Sequence, residues 1–356
     1  MEQDTVTSTP TPMKGMRGMR RGAAAAAPSQ LVQTGSLDGR DVPLVITPAI
    51  EGVDLRAWAA DNRDVIVAHL LRHGAILFRG FGLRTVADFE AVASAITPEL
   101  FGEYGDLPRE PDSERIYGST PYPADKTILF HNESSHLPRW PMKQYFFCVI
   151  AAQTGGETPI LDCRELCRVI DPEVLRHFEE KGLLYVRNFS EGIDVSWQDF
   201  FKTDQRCDVE EICRNSGMAW EWKDGDRLMI TRRAPAVSVH PLTGDRVFFN
   251  QVQLHHVSCL DEATRTSLRE LFDEQDLPRN VSYGDGSPIA DDTMDYLAKV
   301  FDDNAIAFRW QEGDIFMLDN MLVSHGRRPF GGPRKIAVAM AEMLDSPGPV
   351  PSGAAV

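Results

Sequence analysis

Apolar and polar residues alternate over short stretches of the chain, and this pattern predicts many short strands joined by turns. Ala75–Arg79 reads as a buried strand closed by glycines, and 127–131 as a second. Two hairpins are predicted to turn at Asp224-Gly225 and at Thr243-Gly244, because Gly and Asp suit tight turns. Further strands are predicted in 145–163 (two strands around Gly155-Gly156), 182–189, 305–320 (strand, turn, strand) and 334–343.

Helical signals are fewer and lie between the strands or in insertions. Thr85, with Asp88 three residues later, predicts the capped start of a helix that ends at Pro98. Asp162 predicts a second helix start, and Asp171-Pro172 a third helix that runs to Gly182. A helical insertion is expected at about 190–217, and an amphipathic helix at 261–273.

This order of elements predicts a fold that is mainly β with flanking helices (α+β), built on a double-stranded β-helix, or jelly-roll, core. No glycine-rich phosphate loop follows any strand, which argues against a nucleotide-binding parallel sheet. Neither a repeat nor a linker interrupts 38–346, so we expect one domain there. Residues 1–37 and 347–356 are rich in Pro, Gly, Ala, Ser and Thr, and we expect disordered tails.

The net charge limits which partners the protein can bind, and the cysteine content indicates its cellular location. Lys and Arg number 37 against 53 Asp and Glu, a net charge of −16, and such a surface repels nucleic acid and anionic membranes. No apolar run is long enough to span a bilayer. The six cysteines form no C-x-x-C pair, so we expect free thiols and a cytoplasmic location.

The stretch ILFHNESSHL, residues 128–137, places an imidazole and a carboxylate two positions apart at the end of an apolar run. Side chains at i and i+2 of a strand point to the same side, so His131 and Glu133 are expected to share one face. His325 ends a later apolar run, in MLVSHGRR, and is the best third ligand. Two His and one carboxylate with open positions form the facial triad of non-haem Fe(II) oxygenases, although a zinc hydrolase could use the same ligands.

Arg334 adds a second kind of chemistry, since it begins the apolar strand Ile336–Met340. A guanidinium at the mouth of a buried strand needs an anion, and its planar fork fits a carboxylate. A dicarboxylate could therefore reach both the metal and this arginine. A non-catalytic jelly-roll binding module is the remaining alternative, and the presence of all the predicted ligands weighs against it.

The motifs HGAILFRGF, HNESSH, GGET and NMLVSHGRRPF..PRK, in this order over about residues 70–345, resemble the Fe(II)- and 2-oxoglutarate-dependent oxygenases of the taurine dioxygenase and clavaminate synthase-like superfamily. FFNQVQLHH and LDNMLVSHGRRPF are similar to the amino-acid hydroxylases of non-ribosomal peptide and antibiotic pathways. The resemblance implies that His131, Glu133 and His325 bind Fe(II), and that Arg334 and Thr158 bind 2-oxoglutarate, with O2 as the oxidant.

The same resemblance implies hydroxylation of an amino-acid-like substrate, free or presented by a peptidyl carrier protein, with desaturation or cyclisation as alternatives. Val338 stands where taurine dioxygenase has a second arginine, which argues against a sulfonate, and Glu133 argues against halogenation. Substrate contacts are expected from Asn250 and Gln253, because polar residues alternate with apolar ones in FFNQVQLHH and one face of a strand there could meet a polar substrate, and from Ser119 and Arg328. Homo-oligomerisation is left open.

Overall fold

The computed structural model describes residues 31–102, 108–111, 113–119, 121–189 and 195–345. Within them the chain forms the strands β1 (Val32–Leu37), β2 (Arg40–Pro48), β3 (Ala75–Phe78), β4 (Tyr117–Gly118), β5 (Ile128–His131), β6 (Arg139–Ile150), β7 (Thr154–Gly155), β8 (Ile160–Asp162), β9 (Leu183–Phe189), β10 (Ala219–Lys223), β11 (Arg227–Ala234), β12 (Val237–Val239), β13 (Arg246–Phe248), β14 (Arg279–Tyr283), β15 (Ile315–Asp319), β16 (Val323–Arg327), β17 (Phe330–Gly331) and β18 (Lys335–Asp345). The helices are α1 (Leu55–Asp61), α2 (Arg63–His73), α3 (Val86–Ile96), α4 (Cys163–Val169), α5 (Pro172–Lys181), α6 (Trp197–Phe201), α7 (Arg206–Asn215), α8 (Val252–His255), α9 (Glu262–Leu271) and α10 (Asp291–Asn304).

The largest sheet has the strand order β1-β2-β3-β15-β6-β18-β4. Its strands are antiparallel neighbours except for β2 and β3, which run parallel. Because side chains alternate along a strand, β6 turns Tyr145 and Phe147 toward α3 and Phe146 toward the opposite layer. The sheet is therefore apolar on both faces, with helices covering one of them.

The facing layer is a smaller sheet with the order β5-β16-β8. Apolar side chains of the two sheets meet in one core, in which Phe316 and Phe146 pack with Ile160 and Val323. Burying each of these side chains contributes about 1.5–3 kcal/mol. This packing confirms the predicted jelly-roll core with flanking helices, and it anchors β5 and β16 rigidly under the large sheet.

A third sheet, β10-β11-β9-β14, lies outside this sandwich. In the described part of the predicted insertion, residues 195–217, helices α6 and α7 pack on it through Trp197, Val209 and Cys213. The hairpin of β10 and β11 turns at Asp224-Gly225 as predicted, and Gly225 has a φ of +71°, which a side chain would strain.

Several other local predictions are confirmed. Thr85 and Asp88 form the reciprocal capping box at the start of α3. Asp162 accepts hydrogen bonds from the first turn of α4, and Pro172 is at the start of α5, which ends before Gly182. The hairpin of β12 and β13 turns at Thr243-Gly244.

Two predictions are wrong. Residues 305–310 form no strand and make only an isolated bridge, between Ile306 and Ile160, because Phe308 and Trp310 turn into the core instead. The predicted N-terminal tail is too long, since Val32–Leu37 pairs with β2 as an edge strand. Asp38 and Gly39, both at positive φ, form the tight turn that connects β1 to β2 and allows this pairing. The rest of the predicted tails, 1–30 and 347–356, lies outside the described residues.

Candidate metal centre and its anion anchor

Two histidines face each other across the small sheet. Strands β5 and β16 run antiparallel, and His131 is the direct partner of His325, with their ring centroids 4.4 Å apart. The Nδ1 of His131 donates to the carbonyl of Leu129 at 2.8 Å, which leaves Nε2 with its lone pair free. His325 is buried, and its Nδ1 has no hydrogen-bond partner in the described part of the chain. Both rings can therefore offer a nitrogen to a cation.

Glu133 reaches the same point by a turn and not by strand geometry. Strand β5 ends at His131, and Glu133 lies in the turn that follows, where Ser134 has a φ of +55°. The prediction that His131 and Glu133 share one strand face is wrong, yet one ligand atom from each of His131, Glu133 and His325 lies within 4.8 Å of the others. The donor set of two imidazoles and one carboxylate fits a divalent transition metal.

The backbone of this turn is held by buried amides. Asn320, fully buried, accepts from the N–H of Glu133 at 2.7 Å and donates to the carbonyls of Glu133 and Pro141 at 2.9 Å each. Asn132 donates to the carbonyl of Asn320 at 2.7 Å and accepts from the N–H of Asn250 at 3.3 Å. A buried amide without a hydrogen-bond partner destabilises the fold, so these mutual hydrogen bonds hold the turn in one conformation.

Asn250 and Gln253 belong to this support and not to a strand face. Strand β13 ends at Phe248, and Gln253 lies in the short helix α8. The amide of Asn250 donates to Ala236 and accepts from the N–H of Val252, while Gln253 accepts from the N–H of Phe130. The predicted strand here is wrong, and both amides are engaged with the backbone, so that contact with a substrate stays an unsupported prediction.

Burial makes His325 a neutral ligand. Loss of solvation, with a smaller contribution from His131, lowers the pKa of His325 well below its ordinary value. A neutral imidazole is the form that binds a metal. The ring also packs edge-on against Phe146, with centroids 5.1 Å apart, which restricts its rotation.

Arg334 immediately precedes β18 and lies beside the Gly155-Gly156 turn. Its Nε donates to the carbonyl of Gly156 at 3.2 Å, and its guanidinium lies over the ring of Phe330. A Cβ at Gly156 would lie 3.1 Å from both Cδ and Nε of Arg334, so glycine is needed for this approach. No acidic side chain in the described residues pairs with Arg334, and burial, then Arg327, lowers its pKa to about 10. The guanidinium is thus available to an anionic ligand.

The other predicted site residues vary in their position. Thr158 is buried, and its hydroxyl accepts from the indole N–H of Trp310 at 3.1 Å. Ser119 is half-buried beside β18, where its N–H donates to Ile336. Arg328 is exposed, whereas the neighbouring Arg327 is buried and donates to the carbonyls of 122, 123 and 126.

The model of the taurine catabolism dioxygenase TauD, TfdA family matches residues 39–340. The chain belongs to the TauD/TfdA family. It is 36% identical, over 77% of its length and 83% of the relative's, to the dapdiamide synthesis protein DdaC of Enterobacter agglomerans. A clavaminate synthase-like protein of Arabidopsis thaliana is 28% identical, over 86% of this chain and 95% of the relative.

Solved structures share the fold at lower identity. PvcB from Pseudomonas aeruginosa superposes with a TM-score of 0.55 at 15% identity, covering 91% of this chain and 97% of PvcB. Another PvcB structure, described as an Fe, alpha-ketoglutarate dependent oxygenase from an isonitrile synthetic pathway, gives a TM-score of 0.54, also at 15% identity, over 93% and 98% of the two chains. As a member of the TauD/TfdA dioxygenase family, the enzyme is a 2-oxoglutarate-dependent dioxygenase that uses Fe(II) and O2, and this membership excludes the zinc hydrolase and the non-catalytic module.

The sequence alone did not identify the amides that hold the turn. Asn132 lies between two predicted ligands in the sequence, and Asn320 directly follows β15 in the sequence LDN. Their positions in the chain were therefore known, but the sequence did not indicate which groups they would bind by hydrogen bonds. In the described residues, no helix combines the length and apolarity needed to cross a bilayer.

Proposed function

We propose that this enzyme hydroxylates an unactivated C–H bond of an amino acid, or of an aminoacyl or peptidyl group on a carrier protein, in the biosynthesis of a natural product such as an antibiotic. Desaturation or ring closure of the same substrate are the alternatives. One atom of O2 enters the product and the other enters succinate, while 2-oxoglutarate loses CO2. The similarity to a protein named for dapdiamide synthesis supports this substrate class.

We further propose that His131, Glu133 and His325 bind the iron. The observation that carries this proposal is the convergence of their ligand atoms within 4.8 Å. Three protein ligands leave positions open, and bound iron with 2-oxoglutarate and O2 supplies the oxidation of the C–H bond. The chain's own contribution is to hold the ligand atoms in place through β5, β16 and the amide-supported turn.

Arg334 and Thr158 are proposed to hold the distal carboxylate of 2-oxoglutarate. Support comes from the guanidinium of Arg334, which has no acidic partner in the described residues, and from the position of Thr158 on the segment that leads from Gly156 to β8. A fork of two parallel N–H groups fits a carboxylate and fixes the direction of a dicarboxylate. Ser119 and Arg328 stay predictions as substrate contacts, and the cytoplasmic location, carrier presentation and homo-oligomerisation stay proposals.

Replacement of single ligands tests the iron site. His131→Ala and Glu133→Ala should each abolish succinate formation from 2-oxoglutarate and strongly weaken Fe(II) binding, whereas His177→Ala, on α5, should leave both unchanged. Full turnover in either ligand variant would rule the assignment out. A screen of amino acids and aminoacyl carriers, with succinate and product mass measured together, tests the substrate class: gain of one oxygen atom indicates hydroxylation, and loss of two hydrogens indicates desaturation or ring closure.

A further inference from the structure

A second cluster of basic side chains lies beside the turn that carries Glu133. It surrounds a small cavity of about 40 Å³. Among the described residues that line this cavity none is acidic, and they are His136, Leu137, Tyr185, Val186, Arg187, Phe200, Met218, Ile230, Thr231, Arg232, His255 and Arg279. The proposed iron and 2-oxoglutarate ligands are not among them, so that this is a separate site on the third sheet.

Neighbouring elements connect this cavity to the metal centre. His136 lies three residues after Glu133 in the same turn, and His255 ends helix α8, whose Gln253 holds the backbone of β5. The rings of His136 and His255 are 4.8 Å apart, and that of Tyr185 is 5.0 Å from His255. His131 is near enough to contribute to the lowered pKa of His255. A group bound in the cavity would therefore lie next to the ligands of the metal.

Arg232 is the decisive residue. It is only 8% exposed, and no acidic side chain in the described residues pairs with its guanidinium. It donates to the carbonyl of His136 at 3.0 Å, and burial lowers its pKa to about 10. A buried guanidinium without a counter-charge destabilises the folded state, and it is tolerated where a ligand supplies the charge.

Other groups make the cavity attractive to an anion. Arg187 and Arg279 occupy directly paired positions on β9 and β14 and line the same cavity. Burial first, and then Arg279, lowers the pKa of His255 to about 3, so this ring is neutral and can donate a hydrogen bond. The Nδ1 of His136 is buried without a hydrogen-bond partner in the described residues and can donate to a ligand.

We propose that Arg232, with His136 beside it, binds a free carboxylate of the substrate. The identification of this carboxylate as part of the substrate rests on the proposed function, whereas the ability of Arg232 to bind a carboxylate does not. The planar fork of the Arg232 guanidinium fits a carboxylate in parallel hydrogen bonds. A substrate joined to a carrier by a thioester has its own carboxylate masked. The substrate is therefore a free amino acid, or a tethered acyl group that carries a second carboxylate.

Acetate is the minimal probe, and acetamide is its neutral counterpart of the same shape. Thermal unfolding of the metal-free enzyme is measured against acetate, acetamide and phosphate at constant ionic strength and pH. Acetate should raise the midpoint of the wild type and acetamide should not. In Arg232→Met the apparent dissociation constant for acetate should rise about 10- to 100-fold, the loss expected for charge-assisted hydrogen bonds. Acetate can also bind at Arg334, and the variant Arg334→Met shows how much of the wild-type response comes from that second site.

The matched control is Arg233→Met, on the same strand but with an exposed side chain, which should keep the full response. Arg232→Met should fold, because an apolar side chain of similar length replaces a buried unpaired charge. Equal responses to acetate and acetamide, or an undiminished acetate response in Arg232→Met, would overturn the proposal. A response to phosphate that exceeds the acetate response and requires Arg232 would overturn the choice of a carboxylate. The assay needs neither iron nor O2, so its failure is distinct from a failure of 2-oxoglutarate turnover.

Discussion

Replacing Asn320 by Ala should separate the stability of the fold from the affinity for iron. The side chain of Asn320 makes three hydrogen bonds, two of them to the backbone of Glu133, and it is fully buried. Its loss removes these two hydrogen bonds from the backbone of Glu133, and the turn can then move. Since Glu133 is the only proposed ligand outside a strand, it depends most on this support.

The expected magnitudes follow from the contacts. A hydrogen bond contributes about 0.5–1.5 kcal/mol net, so three give a loss of roughly 1.5–4.5 kcal/mol in the free energy of unfolding. Groups that orient a metal ligand typically change metal affinity by about 10- to 100-fold. Asn320→Ala should therefore both lower the unfolding midpoint and weaken Fe(II) binding.

Asn188 provides a matched control, because it is buried and also makes three hydrogen bonds. Its amide donates to the carbonyls of Gln275 and Leu277 and accepts from Lys223. Both alanine variants are titrated with Fe(II) and 2-oxoglutarate without O2, following the weak visible charge-transfer band, and are unfolded by heat. Asn188→Ala should lose similar stability with unchanged iron affinity. Equal weakening of iron binding in both variants, or wild-type affinity in Asn320→Ala, would refute the reasoning.

Two further predictions concern the anion anchor. Arg334→Met should raise the KM for 2-oxoglutarate at least about 100-fold, because two charge-assisted hydrogen bonds of about 1.5–3 kcal/mol each are lost, while the affinity for Fe(II) stays constant. Initial rates of succinate formation and a separate metal titration measure the two quantities, and an unchanged KM contradicts the assignment. Gly156→Ala should also raise this KM, because a Cβ there lies 3.1 Å from Arg334, whereas Gly217→Ala, with a similar positive φ and open space, should cost only stability. Equal kinetic effects of the two alanine variants would show that backbone strain alone is responsible.

The proposed iron ligands and the proposed anchor Arg334 could be singled out from the sequence because each carries a local signal. An imidazole and a carboxylate after an apolar run, and an arginine at the start of one, are unusual enough to suggest chemistry. The local geometry was less predictable. Asn132 turns inward, donates a hydrogen bond to the carbonyl of Asn320 and accepts one from the N–H of Asn250, which ends β5 and lets Glu133 approach through a turn. Such competition between a side chain and the strand ladder depends on tertiary partners.

Arg232 carried only a weak local signal. In the strand segment ITRRA it shares a face with the buried Ile230 and Ala234, but the side chain of an arginine usually reaches solvent. Its burial results from α8, the turn at His136 and the described part of the 190–217 insertion, which close over β11 from distant parts of the chain. Similarly, Asn250 and Gln253 looked like strand residues facing a substrate, because the short helix α8 follows β13 too closely for periodicity to resolve it.

The guanidinium groups of Arg334 and Arg232 share one property: neither has an acidic partner in the described residues. The chain has 53 acidic side chains against 37 basic ones, so chance pairing would readily give each arginine a carboxylate partner. Among the described residues, several buried or half-buried cations have one, such as Arg79 with Asp314 and Arg164 with Asp162. Arg334 and Arg232 have no acidic partner in the described residues. In the roles proposed here for Arg334 and Arg232, two carboxylate sites are kept open at a cost in stability, and ligands that supply these carboxylates should stabilise the enzyme as they bind.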